Sequence, residues 1–184
     1  EHGFEGFAVG GCVRDSLLKK TPKDWDITTD ALPVDMKKIF KKTFDTGIAH
    51  GTVTVLMDGV GYELTTYRID GNYSDGRHPD SVSFSKNLSE DLCRRDFTIN
   101  AMAYSHKKGI VDLFDGRKDL QNGIIRAVGD AKKRFDEDAL RMLRAVRFAA
   151  QLGFKIDDDT FAAIKEKAKL LSKVSKERIF VELN

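Results

Sequence analysis

Phe7-Ala8-Val9-Gly10-Gly11-Cys12-Val13-Arg14-Asp15, followed shortly by Asp24-Trp25-Asp26-Ile27, is the stretch from which the fold is read. Residues 7–9 read as a strand, Gly10-Gly11 as a tight turn, and residues 12–19 as a helix halted near Pro22. Residues 24–28 read as a second strand. Pro33 suits a helix's first turn, and Met36, Ile39, Phe40 and Phe44 follow at helical spacing. Residues 52–57 and 61–68 alternate around Asp58-Gly59, a hairpin signal. With a hairpin in its middle, the sheet is antiparallel or mixed. Residues 69–91 are rich in Gly, Asp, Ser and Asn and read mostly as loop, with 82–84 a candidate short strand. Residues 96–104 read as a helix and 109–113 as strand again. From 131 onward the pattern is helical throughout, broken at Gly153. The expected class is α+β: a small mixed sheet with helices over residues 1–125, then an all-α segment over residues 126–184.

Composition narrows the function. The 184 residues include 31 basic and 29 acidic side chains, and 41% hydrophobic residues are enough for a core and too many for a disordered tail. Two cysteines exclude a disulfide framework or a Cys-rich zinc site and suit a reducing compartment. No apolar run approaches the roughly 18–20 residues that cross a bilayer, and no signal peptide opens the chain. The expectation is a soluble, cytoplasmic protein without a membrane partner. Residues 126–184 carry 14 basic and 10 acidic side chains, leaving 17 and 19 in residues 1–125. An acidic first part suits metal ions and a basic second part suits phosphates, although ordinary surface scatter would look the same. The absence of an initial Met, and a helical pattern over 177–184 with no stop signal, read as part of a longer protein.

Five features carry possible chemistry. Gly10-Gly11 between strand and helix lets backbone N–H groups approach an anion, with Arg14 adding charge; a plain tight turn is the alternative. On a strand, Asp24 and Asp26 share one face while Trp25 and Ile27 enter the core. Two such carboxylates repel unless a cation bridges them, and hard oxygen donors favour Mg²⁺. Glu63 lies opposite Tyr62 and Leu64 on its strand and completes an acidic cluster if that strand neighbours the aspartates. In Arg94-Arg95-Asp96-Phe97-Thr98-Ile99-Asn100-Ala101, Asp96 suits an N-cap. The two arginines there either hold phosphate or ribose oxygens or are solvated.

The fifth is Glu137-Asp138-Ala139-Leu140-Arg141-Met142-Leu143-Arg144-Ala145-Val146-Arg147-Phe148. On one continuous helix, Ala139, Leu140, Met142, Leu143, Val146 and Ala150 form the core half. Asp138, Arg141, Arg144 and Arg147 form a stripe with little nearby acid to neutralise it. Arginine at every third position suggests phosphate and planar recognition. Four scattered histidines lack metal-site spacing, and no nucleophile arrangement stands out.

Taken in order and at their spacing, the motifs at 10–15, 24–26, 94–101 and 137–141 resemble those of the class II CCA-adding enzymes. These are tRNA nucleotidyltransferases, related to bacterial poly(A) polymerases within the DNA polymerase beta-like nucleotidyltransferase superfamily. The resemblance implies a catalytic head (residues 1–125), a truncated helical neck (126–184), and body and tail domains that are absent. It implies that Asp24 and Asp26 hold Mg²⁺, with Glu63 the further head carboxylate. Gly10, Gly11 and Arg14 would meet the triphosphate, and Arg95 the phosphate or ribose. Asp138 and Arg141 would read the base of CTP or ATP, supported by Arg144 and Arg147, while the tRNA 3′ end supplies the attacking hydroxyl. Full CCA addition is favoured by Asp138-Ala139-Leu140-Arg141 and by the loop at 70–79. Poly(A) polymerase, CC-adding and A-adding enzymes share the motifs, and a non-catalytic nucleotide- or RNA-binding module is the reading from another class. Oligomeric state is not legible.

Overall fold

The computed structural model describes residues 2–71, 73 and 81–183. The first part alternates β1 (Gly6–Val9), α1 (Gly11–Leu17), β2 (Asp26–Thr29), α2 (Pro33–Ile39), β3 (Thr43–Gly47), β4 (Thr52–Met57) and β5 (Val60–Thr66). Next come β6 (Arg68–Asp70), β7 (Val82–Phe84), α3 (Leu88–Cys93), β8 (Met102–Ser105), β9 (Gly109–Asp112), α4 (Gly116–Asn122) and β10 (Ile124–Ile125). The remainder is α5 (Ala131–Glu137), α6 (Leu140–Leu152), β11 (Lys155–Ile156), α7 (Asp158–Lys167) and α8 (Lys176–Leu183).

A seven-stranded sheet runs β3-β4-β5-β2-β1-β8-β9. It is mixed, as expected: β2 and β5 pair in parallel and the other neighbours are antiparallel. The hairpin turns at Asp58-Gly59, where both residues have positive φ. Along β1, alternation sends Phe7 and Val9 to one face, where they pack with Tyr67, Leu92 and Ala103 under α3. Ala8 faces the other way, toward a cluster of Cys12, Val13, Phe97, Ile99, Met102, Ala145 and Phe148. That cluster joins the sheet part to α6 in one core. A third cluster, built on Met36, Val53, Val55 and Leu64, seats α2 and takes in Ile27.

Several elements depart from the sequence reading. Residues 96–104 are not a helix; a short 3₁₀ turn at Thr98–Asn100 leads into β8. Ile99, Ala101, Met102 and Ala103 are all fully buried, so this run is covered on every side, which suits an inner strand. Phe44 is not on the helix; α2 stops at Ile39 and Phe44 sits exposed on edge strand β3. The supposed loop contains the β6–β7 pair and α3, and α4 was not read at all. The helical part is interrupted at Asp138 and carries β11, which pairs in parallel with β10. The loop at 70–79 falls largely outside the described residues. Among the described residues, no helix is long and apolar enough to cross a membrane.

Candidate active site

The site starts at the entry to β2. Pairing begins at Asp26, so Asp24 precedes the strand and Trp25 lies off the sheet's end. Trp25 is 42% exposed and is not core, whereas Ile27 does pack inward. Asp24 and Asp26 are both exposed. The Asp26 carboxyl is nevertheless flanked closely enough by protein that desolvation raises its pKa; Arg95 opposes this and Asp24 adds to it. Glu63 is the register partner of Asp26 across the β2–β5 pair, so the two share a face. The two strands are neighbours, as the expectation required, but the three carboxylates do not gather into the expected compact cluster. Among the described residues, no three His, Cys, Asp or Glu side chains gather into a metal-holding group.

Gly10 has φ 80° and ψ −132°, a backbone that side chains rarely adopt. A Cβ there would also lie 3.3 Å from Arg95 Nη1, so glycine is what lets Arg95 lean over the turn. Arg95 Nη2 donates to Asp91 Oδ2 at 3.1 Å. Arg14 is buried: Nε donates to Asp15 at 2.8 Å and Nη1 to Asn100 Oδ1 at 2.7 Å. Its guanidinium stands 5.1 Å from the centre of the Phe148 ring, which also meets Arg144 at 5.2 Å and Arg147 at 4.4 Å. One aromatic ring from α6 thus carries arginines from both parts of the chain.

The arginine stripe is neither unneutralised nor turned to open solvent. Arg141 Nη1 donates to Glu137 at 2.7 Å and Nη2 to the Arg94 carbonyl at 3.2 Å. Arg144 donates to Asp96 at 2.8 Å, and Arg147 to Glu182 of α8 at 2.5 Å. The buried face is Leu140, Met142, Ala145 and Phe148, while Val146 and Ala150 are exposed. The predicted core half is therefore rotated, because acids from distant elements, Asp96 and Glu182, draw the arginine side of α6 inward. Asp138 accepts from the Leu140 N–H at 3.0 Å and from Arg178 Nη2 at 2.9 Å, so it caps α6 and pairs with α8. Its carbonyl accepts from the Arg141 N–H at 3.0 Å, but its carboxylate is engaged by Leu140 and Arg178 rather than by the Arg141 guanidinium. Asp96 is no N-cap of a helix: it accepts from the Phe97 N–H at 2.8 Å and pairs with Arg144. Burial alone would raise its pKa, but Arg144 and Arg141 hold it below the ordinary carboxylate value.

Asp91, Asn100, Phe148, Arg178 and Glu182 were missed. Asp91 had a signal, standing three and four residues before Arg94 and Arg95. Phe148 had one too, four residues after Arg144 on the same helix; the others act on distant partners and gave none. A cleft of about 920 Å³ opens between α3 and α5, lined by Glu90, Cys93, Arg94, Arg134 and Glu137 among others. Neither aspartate of the β2 entry lines it.

Comparison with known proteins gives the assembly its context. Residues 6–126 match the family described as "Poly A polymerase head domain". Residues 153–184 match "Probable RNA and SrmB- binding site of polymerase A". A CCA-adding enzyme of Pediococcus pentosaceus is 58% identical over 180 residues, 98% of this chain and 46% of the relative. One from Ligilactobacillus salivarius is 58% identical over 99% of this chain and 45% of its own length. The crystal structure of the Bacillus stearothermophilus CCA-adding enzyme in complex with CTP superposes with TM-score 0.91 at 49% identity, covering 99% of this chain and 44% of that one. A tRNA nucleotidyltransferase with primer tRNA and an ATP analogue superposes with TM-score 0.78 at 30% identity, over 98% and 52%. The chain spans about half the length of the relatives it matches. With two thirds of its residues inside one family match, the chain belongs to the poly A polymerase head domain family, the tRNA nucleotidyltransferase and poly(A) polymerase group that its motifs resemble.

Proposed function

We propose that this chain is the catalytic and nucleotide-selecting portion of a template-independent tRNA nucleotidyltransferase. It adds CCA to tRNA 3′ ends from CTP and ATP with Mg²⁺, in the cytoplasm. The observation that carries the reading is the convergence of Asp24 and Asp26 with Arg95 over the Gly10 turn. The relatives' shared name, at 56–58% identity, narrows the chemistry to CCA addition. Residues 1–125 form the head and 126–184 the neck.

The donor set fits Mg²⁺. Two carboxylates leave the remaining octahedral positions to water and phosphate oxygens, as this ion prefers. Bound there, Mg²⁺ supplies charge neutralisation for the attacking and leaving oxygens. Glu63, on the same face, adds negative potential one strand away. Gly11 offers its backbone N–H to the triphosphate, Gly10, whose own N–H is held by the Met102 carbonyl at 3.2 Å, supplies the turn, and Arg14 and Arg95 hold the phosphates in line, so the protein's part is positioning and electrostatics.

Asp138 and Arg141 select the base. Cytosine and adenine both offer an amino donor beside a ring-nitrogen acceptor, which an accepting carboxylate and a donating guanidinium match. Uracil and guanine reverse that order and leave both groups mispaired. Each side chain exchanges a present partner, Arg178 or Glu137, for the base edge. Arg144 and Arg147 hold α6 in place for this. Sequencing the 3′ ends of tRNA lacking CCA, after incubation with the full-length protein, tests the reading. CCA ends are expected. Ends in CC, a single A or poly(A) would reassign the chain within its family, and unextended ends would leave a binding module.

A further inference from the structure

Asp91 is a buried carboxylate to which the nucleotide chemistry gives no role. It lies on α3, beneath the face of β2 that presents Asp26 and Thr28, and its relative exposure is 0%. An ionised carboxyl in such a place is costly unless its oxygens are filled by partners. Here they are. Oδ1 accepts from Arg94 Nε at 3.0 Å and Nη2 at 2.7 Å. Oδ2 accepts from Arg95 Nη2 at 3.1 Å and from the Thr28 hydroxyl at 3.2 Å.

Each partner leads to a different part of the site. Thr28 stands two residues after Asp26 on the same strand face. Arg95 reaches over Gly10 and acts electrostatically on Asp26; its Nε–H has no partner among the described residues. Arg94 offers its carbonyl to Arg141 Nη2 at 3.2 Å. The two arginines hold the Asp91 carboxyl below its ordinary value against the burial that would raise it. It therefore stays charged and keeps its grip.

We propose that Asp91 is a positioning residue for nucleotide binding: it aims Arg95 at the triphosphate over the Gly10–Gly11 turn. The proposal rests on the nucleotidyltransferase reading above. A carboxylate needed only for folding would contribute to stability without regard to what Arg95 does. One that acts through Arg95 loses its effect on nucleotide affinity once Arg95 is gone.

The test is a double-mutant cycle on the full chain, titrated with CTP in the presence of Mg²⁺. Trp25 is the single tryptophan and sits between the two aspartates, so its fluorescence reports binding alongside calorimetry. Asp91→Asn should weaken CTP about tenfold or more, the scale of one charged hydrogen bond, while circular dichroism shows a folded protein. In an Arg95→Ala background, the same substitution should cost less than about twofold. Additive losses, or a folded Asp91→Asn variant that binds CTP like wild type, would overturn the proposal. If Asp91→Asn fails to fold, Thr28→Val removes the hydroxyl that ties Asp91 to β2, together with that hydroxyl's longer contact to the Thr65 carbonyl at 3.3 Å. It should weaken CTP about threefold, and unchanged affinity there overturns the proposal equally. Wild-type protein that does not bind CTP with Mg²⁺ would instead defeat the nucleotide reading, and the proposal with it.

Discussion

Asp26, proposed above as a metal ligand, sits where its charge burdens the fold. Desolvation raises its folded pKa, partly offset by Arg95 and reinforced by Asp24. For an acid raised in this way, the stabilising contribution belongs to the protonated form. It is present at low pH and is lost as pH rises through the folded value. At neutral pH the ionised side chain is a net burden that a divalent cation would relieve. Asp26→Asn should therefore abolish nucleotide transfer in the full-length protein yet raise the Tm of metal-free protein at pH 7. That gain should shrink as melts are taken to acid pH, where the aspartate, its pKa raised, protonates before an ordinary one would. A variant with lowered Tm at pH 7 would make Asp26 structural. Asp138 sets a different balance, since it already caps α6 and pairs with Arg178. Asn at this position keeps an acceptor for the Leu140 N–H, but its amide can rotate to offer a donor to a base. Asp138→Asn should therefore lower the CTP-to-UTP ratio of kcat/KM by about tenfold. An unchanged ratio with reduced stability would leave Asp138 a cap and nothing more.

Helix α6 is held to the sheet part and to α8 by charge as well as by its apolar face. Arg144 pairs with Asp96 across 48 positions of sequence, and Arg147 with Glu182 across 35. Asp96 and Asp91 would both be raised by burial, but their arginines hold both below the ordinary value. For depressed acids the sign reverses: their stability is present above the unfolded pKa and is lost as pH falls through the folded one. The urea midpoint should accordingly drop steeply below about pH 4, and Asp96→Asn should show a shallower acid limb. A wild-type midpoint flat between pH 6 and 3 would contradict the sign. These pairings also mark what sequence can carry. The β4–β5 hairpin and the Gly10 turn were legible because alternation and glycine act within a few residues. Helical periodicity assigned the arginines to a polar stripe, but it does not tell solvated guanidinium groups from buried ones whose acids arrive from distant elements. The parallel β2–β5 register that lines up Asp26 with Glu63, and the fully covered run at 99–103, are set by long-range packing and left no local trace.

At the scale of the whole molecule, one core spans both parts of the chain. Cys12, Val13 and Phe97 from the sheet part pack with Ala145 and Phe148 of α6, and β10 pairs with β11. Every residue assigned to nucleotide contact lies within this unit, so the chain should bind CTP or ATP with Mg²⁺ by itself. RNA is another matter. The net charge is only +2, and many of the cations a phosphate backbone would need are already in ion pairs, including Arg126, Lys132, Arg144, Arg147 and Lys167. The matched RNA-binding segment begins only at residue 153, and the chain spans about half of its relatives. Whatever tRNA affinity these residues have should come from a few exposed lysines on the neck. Such affinity is counterion release, which falls steeply with salt. Filter binding of tRNA by this chain should therefore be weak at low ionic strength and lost as salt rises toward about 0.2 M, while CTP affinity changes far less. Tight binding of tRNA that survives that salt would show that residues 1–184 hold an RNA grip of their own, contrary to the charge balance.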